Sequence, residues 1–269
     1  MRNFFILLGH EVRMLLLLPA TYLAAGLFLG ILLFLYVLSI QIGGRELEDQ
    51  VPVSLFFQGF FLPVCFMVPL ITMRTLAEER RLGTLQSLLS TPATPLQIVC
   101  AKYLAAYAFY LAMWGLTLGF PVLLNERFPQ IVETARLFDP AALAGGYAFV
   151  ALTGLLYVAI GLFCSGLTRS QLVAGVLTFF LLFLLTFGPA LLPQLLAMMP
   201  AEGATPGGGP LPMVDWLMQP LAFLQAYDHL DDFSRGIVDT RPIVLYLSCT
   251  ALLVGTTVFN VEAKAGSPT

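Results

Sequence analysis

The chain has 269 residues, 58% of them hydrophobic and only 11% charged, with a mean hydropathy of +0.87. Soluble domains carry roughly 25% charged residues, so a soluble globular fold is excluded, and a net charge of −3 leaves no electrostatic footprint for nucleic acid. Cys65, Cys100, Cys164 and Cys249 stand singly in or beside apolar runs, without a CxxC pair or a disulfide-scaffold spacing, and read as packing thiols.

Arg2, His10, Glu11 and Arg13 interrupt the apolar residues Phe4, Phe5, Leu8 and Val12. Two readings fit Met1 to Leu18: an amphipathic helix lying in the membrane interface, or the frayed start of the first span. Pro19 marks a break, and residues 20–40 are uncharged and long enough to cross a bilayer. This run is too long for a cleavable signal, so it is expected to stay in the mature protein. A short acidic loop, residues 43–49, leads to a second span over 51–73, where Pro52, Pro63 and Pro69 predict a kinked helix.

The only sizeable polar interval on its side of the membrane follows, MRTLAEERRLGTLQSLLSTPATPLQ, residues 73–97. Arg74, Glu78, Glu79, Arg80 and Arg81 open it. Gly83-Thr84 then predicts a break with a capping hydroxyl. Leu85, Leu88 and Leu89 recur at helical spacing, with Gln86, Ser87 and Ser90 opposite. Thr91-Pro92 stops that turn. Thr94-Pro95-Leu96-Gln97 carries a capping threonine, proline at the first helical position and a capping-box glutamine. The pattern is a short amphipathic helix, stopped at both ends, between two spans: a shape for touching a partner at the membrane face.

The third span is expected over 98–124, with Lys102 near enough to its start to snorkel into the interface. The fourth, 141–167, is rich in small residues (Gly145, Gly146, Gly154, Gly161) that let helices approach closely. Thr168-Arg169-Ser170 is a tight turn before the fifth span, 171–192. The region 193–242 is non-spanning, with a Pro/Gly-rich piece and an acidic, aromatic piece that packs on or re-enters the membrane. A sixth span over 243–261 completes an all-α, polytopic membrane protein, a single transmembrane domain over 1–269.

Placing both termini, the 74–97 loop and the 168–170 turn inside puts eight of the 13 basic but only four of the 16 acidic residues on that side. The positive-inside rule therefore predicts cytoplasmic termini and a cytoplasmic central helix.

No P-loop is present; the only lysines, Lys102 and Lys264, follow no glycine loop. HExxH, GxSxG and Cys/His ligand sets are absent as well. The two histidines fall on opposite sides of the membrane, and His229 among Asp228, Asp231 and Asp232 reads as a solvated loop end rather than a metal site. The spans lack the buried acids and bases that ion-coupled pumps use as relays, so no catalytic or metal residue is assigned.

The stretch MRTLAEERRLGTLQSLLSTPATPLQIVCAKYLAA resembles the cytoplasmic loop of type-2 ABC transporter permeases. The matching positions are Glu78, Glu79, Arg80 or Arg81, Gly83, Thr84, Leu85, Leu88, Leu89, Pro92 and Lys102. The resemblance implies that this loop is a coupling helix, docking into a cleft on a separate ATP-binding subunit. It further implies two ATPase copies, which bind the ATP and magnesium that this chain does not, and a second permease subunit, identical or different. An inner (cytoplasmic) membrane location and export of an undefined substrate follow from the same likeness. The stretches Phe138–Gly175, His229–Leu253 and HEVRMLLLLPATYL resemble the gliding-motility-associated permeases called GldF-like, with departures at His10 and Leu18. A membrane scaffold transmitting the ATPase's work to an outer-surface partner without transport is the alternative, sustained by the large region 193–242. A secondary transporter and a membrane enzyme are disfavoured by the uncharged spans and the missing nucleophile–base or metal sets.

Overall fold

A computed structural model describes residues 2–43, 52–89, 93–120, 122, 126, 140–198, 225–234 and 239–265. These residues form helices without strands: α1 (Arg2–Leu17), α2 (Pro19–Gly43), α3 (Pro52–Gly59), α4 (Phe61–Thr72), α5 (Ala77–Leu82), α6 (Thr84–Leu89), α7 (Pro95–Thr117), α8 (Pro140–Leu167), α9 (Gln171–Met198), α10 (Ala226–Ser234) and α11 (Thr240–Ala265). Among the described residues six stretches are long and apolar enough to cross a membrane: Pro19–Leu38, Phe61–Leu82, Pro95–Thr117, Ala142–Leu167, Gln171–Leu191 and Thr240–Ala263. The protein is an all-α polytopic membrane protein.

Local chemistry sets several of the boundaries. Proline has no amide hydrogen and cannot continue α1, so the chain breaks at Leu18 and restarts with Pro19 at the head of α2. The N-terminal segment is thus a separate helix packed along α7, not a frayed extension of the first span. Thr94 caps α7 as its sequence predicts. Its hydroxyl accepts from the Gln97 amide at 3.3 Å, and the Gln97 side chain accepts from the Thr94 amide at 3.3 Å.

The second span departs from the single kinked helix read over 51–73. It is divided at Phe60, between α3 and α4, while Pro69 sits inside α4 without ending it. Of the non-spanning region, the described part includes α10, which packs on α8; residues 199–224 and 235–238 lie outside the described residues, as does most of the loop 125–140.

In lipid no hydrophobic force draws helices together, so association rests on close packing and hydrogen bonds. Helix α8 supplies both and is the centre of the bundle, contacting α3, α4, α5, α7, α9, α10 and α11. Where Gly146, Gly154 and Gly161 stand, a Cβ would overlap the Phe57 ring, the Tyr110 ring and the Thr72 hydroxyl respectively. Three tyrosines of α7 also hydrogen-bond to α8 carbonyls: Tyr103 to Leu155 at 2.9 Å, Tyr107 to Ala151 at 2.9 Å and Tyr110 to Val150 at 3.1 Å. A cluster around Trp114 closes the other half of the core, with Phe28, Phe60 and Tyr147 edge-on to the indole.

Buried threonines discharge their hydroxyls locally. Thr72, Thr178, Thr250 and Thr257 each donate to the carbonyl four residues earlier at 2.7 Å, which removes the cost of a bare donor in hydrocarbon. Helices α4, α7 and α8 are mostly enclosed by the rest of the chain. Helices α2, α9 and α11 turn large apolar residues outward, among them Leu23, Leu172 and Phe259, a surface suited to lipid or another membrane helix.

Because the Tyr110 ring is held by its own hydroxyl, Gly154→Leu cannot be absorbed by a side-chain swing. Overpacking of about 1–3 kcal/mol is expected, read as a lower midpoint in thermal unfolding of the purified protein. Gly255, whose added Cβ would meet nothing, is the matched control.

Candidate functional site

The polar interval folds into an elbow. After α4, residues Met73–Leu76 turn, α5 carries the charged run, and Gly83 joins α5 to α6. Gly83 has φ +73°, the left-handed region that costs a side-chain-bearing residue about 1–2 kcal/mol. Open space surrounds it, so the requirement for glycine is one of backbone alone. Thr84 is the first residue of α6, and its hydroxyl reaches back to the Glu79 carbonyl at 3.4 Å rather than capping its own helix.

Two anchors hold the elbow to the bundle, and neither was visible in the local sequence. The first is Ser165 on α8. Its oxygen accepts from the amides of Leu76 and Ala77 at 3.1 and 3.0 Å and its hydroxyl donates to the Met73 carbonyl at 3.2 Å. Those amides open α5 and have no partner within the helix, so one fully buried serine satisfies the bend.

The second anchor is Lys102 on α7. The sequence reading has its ammonium snorkel to the interface; instead the side chain is 3% exposed and bridges two carboxylates, Glu11 of α1 and Glu79 of α5, each at 2.7 Å. The carboxylates explain the difference. An ammonium that finds two charged partners 2.7 Å away need not reach water. One cation thereby joins the N-terminal helix, the elbow and the third span.

The other expected site residues divide by direction. Leu85 is 7% exposed and points into the core of this chain, and Leu88 is half-buried. Glu79 is committed to Lys102. Arg81 faces outward in a 4.0 Å pair with Glu78, a geometry worth under about 1 kcal/mol. Arg80 is half-buried with two of its nitrogens unpartnered among the described residues. The side chain of Leu89 and the whole of Pro92 lie outside the described residues. Leu82, which the sequence pattern passed over, is 62% exposed beside Gly83. A count of apolar residues around the bend would have found it, whereas Ser165 and Glu11 carry no local signal.

Away from the elbow, His229 is half-buried against the Tyr246 ring, centroids 6.2 Å apart. Burial holds its imidazole below the usual range, although Asp228, Asp232 and Asp239 oppose the shift. Among the described residues no group of three or more His, Cys, Asp or Glu side chains is placed to hold a metal.

The arrangement is a charged elbow carried on membrane helices and held by anchoring side chains. Against known families, the profile described as ABC-2 family transporter protein matches residues 47–259, which includes the elbow, four of the six spans and most of the last. The chain belongs to this family. No curated protein matches the chain. As an ABC-2 permease it is a membrane component of a transporter, not itself catalytic, in a family that normally works with an ATP-binding subunit and within lipid.

Ser165→Ala leaves two amides and a carbonyl without partners, and a loss of about 1–3 kcal/mol per orphaned group is expected, measured as a lower thermal midpoint. Lys102→Met strands two carboxylates and should cost about 3–5 kcal/mol. The triple change Lys102→Met, Glu11→Gln, Glu79→Gln should recover most of that loss. A triple variant no more stable than Lys102→Met alone would refute the coupling of the three groups.

Proposed function

We propose that the chain is the transmembrane subunit of an ATP-driven exporter and that α5, Gly83 and α6 receive the movement of a separate ATP-binding subunit. The double anchorage of the elbow carries this reading. A push on α5 is delivered through Ser165 to α8 and through Lys102 to α7 and α1, so displacement at one bend is felt in several spans at once. Such contiguous packed and ion-paired elements are the physical means by which coupling travels.

The outward residues, Leu82 and Arg81 with Glu78, form the face toward the ATPase in this reading. Leu85 and Glu79, turned inward, hold the elbow in shape, while Leu88 stands between the two roles. Two ATPase copies, binding ATP and magnesium, and a second permease subunit complete the assembly. The charge asymmetry of the loops supports a cytoplasmic elbow and cytoplasmic termini in the cell membrane. The stretches Phe138–Gly175 and His229–Leu253 support the GldF-like branch.

The test is stimulated ATP hydrolysis in the complex purified from its native membrane. Gly83→Pro cannot adopt the left-handed conformation and should abolish stimulation; Gly83→Asn, which tolerates it, should keep most of it. Leu82→Asp and Leu88→Asp should each lower stimulation at least about tenfold, the scale of a lost interface anchor. Wild-type stimulation in an assembled Gly83→Pro complex would overturn the proposal.

A further inference from the structure

Between α1 and the elbow lies a cavity of about 320 Å³, bordering the outward face assigned to the ATPase and sharing Glu78 and Leu82 with it. Its polar wall includes His10, Glu11, Arg74, Glu78, Glu79 and Lys102; its apolar wall includes Met14, Leu15, Leu18, Leu70 and Leu82. Met14 and Leu82 are themselves exposed, so the apolar wall continues to the protein surface.

Two atoms in the polar wall stand out. Glu79 Oε1 accepts from the Lys102 ammonium, but among the described residues its Oε2 is buried without a hydrogen-bond partner, and so is the Nε–H of Arg74. One is an acceptor and the other a donor. A ligand satisfying both carries a cation and an anion in one small group. Three carboxylates face the Arg74 and Lys102 cations here, a formal balance of −1 with His10 taken as neutral, which favours an ammonium over a second anion. The apolar wall calls for hydrocarbon attached to that polar group.

We propose that this cavity seats the headgroup of a phospholipid bearing a primary ammonium, of the phosphatidylethanolamine type. The ammonium donates to Glu79 Oε2 and the Glu78 carboxylate, and the phosphate accepts from Arg74 Nε. The acyl chains leave past Leu18, Leu70 and Met14. The position fits a lipid: the charged run after α4 marks the end of an apolar span, where headgroups lie. A primary ammonium offers three N–H donors, whereas the quaternary ammonium of phosphatidylcholine offers none, so recognition is chemical as well as electrostatic.

The test uses the full-length protein in vesicles with equal parts of phosphatidylethanolamine, phosphatidylcholine and phosphatidylglycerol of identical acyl chains. The protein is released in mild detergent and its retained lipids are counted by native mass spectrometry. Phosphatidylethanolamine should exceed phosphatidylcholine by about tenfold, the ratio one charge-assisted hydrogen bond sustains; Glu78→Gln, which weakens the ammonium contact, should cut that excess, whereas Arg74→Gln, which removes the donor to the phosphate, should lower retention of both lipids. As a measure free of folding effects, retention by the unaltered protein should fall stepwise across the mono-, di- and trimethylated headgroups. Equal retention of the three lipids, a flat methylation series, or a preference untouched in a folded Glu78→Gln protein would overturn the proposal. Displacement of retained lipid by water-soluble glycerophosphoethanolamine at equal concentration would overturn the lipid as the source of the headgroup.

Discussion

A single ammonium determines how the elbow end of this bundle is put together. Lys102 leaves water only because Glu11 and Glu79 each meet it at 2.7 Å, and the two carboxylates come from separate elements, α1 and α5. Helix α5 is six residues long, too short to be stable on helical hydrogen bonds alone. Without the shared cation, the N-terminal helix and the elbow would have separate positions. With it, they have one.

Ser165 does the complementary work on the backbone. A chain leaving a membrane helix must satisfy amides and carbonyls that no longer have helical partners, and apolar surroundings make each omission costly. Met73, Leu76 and Ala77 all direct theirs at one side chain. The electrostatic and the backbone anchor therefore converge on the same bend from different helices, α7 and α8. This is why a short polar interval can be a fixed structure rather than a loop.

What the sequence revealed follows from how far the governing interactions reach. The spans were legible because hydrocarbon forces each crossing segment to satisfy its own backbone, leaving long apolar runs. The stop at Leu18, the capping box at Thr94 and the glycine at position 83 were legible because each is decided within a few residues. Lys102 was misread because its partner Glu11 is 91 positions away, and Ser165 was missed because Leu76 is 89 away. Hydroxyl and charge do not announce such partners. The direction of Leu85 was lost for a related reason: leucines at helical spacing define a face, but not which side of the molecule that face meets.

The glycines of α8 carry a further consequence, one of kinematics. Positions 146, 154 and 161 fall within roughly a quarter of the helix circumference and about two turns apart, and each receives a bulky group from a different element. Advancing α8 by one turn would bring Val150, Val158 and Ser165 to those notches; retreating by one would bring Ala142, Val150 and Tyr157. Neither register offers three bare backbones. The helix has one seating, like a key cut for a single depth, and a ratchet of the kind that lets some packed helices jump by a turn has no second resting place here. Any rearrangement of the bundle must carry Phe57, Thr72 and Tyr110 along with α8 as one body, leaving the sparsely enclosed helices α2, α9 and α11 as the parts free to change neighbours.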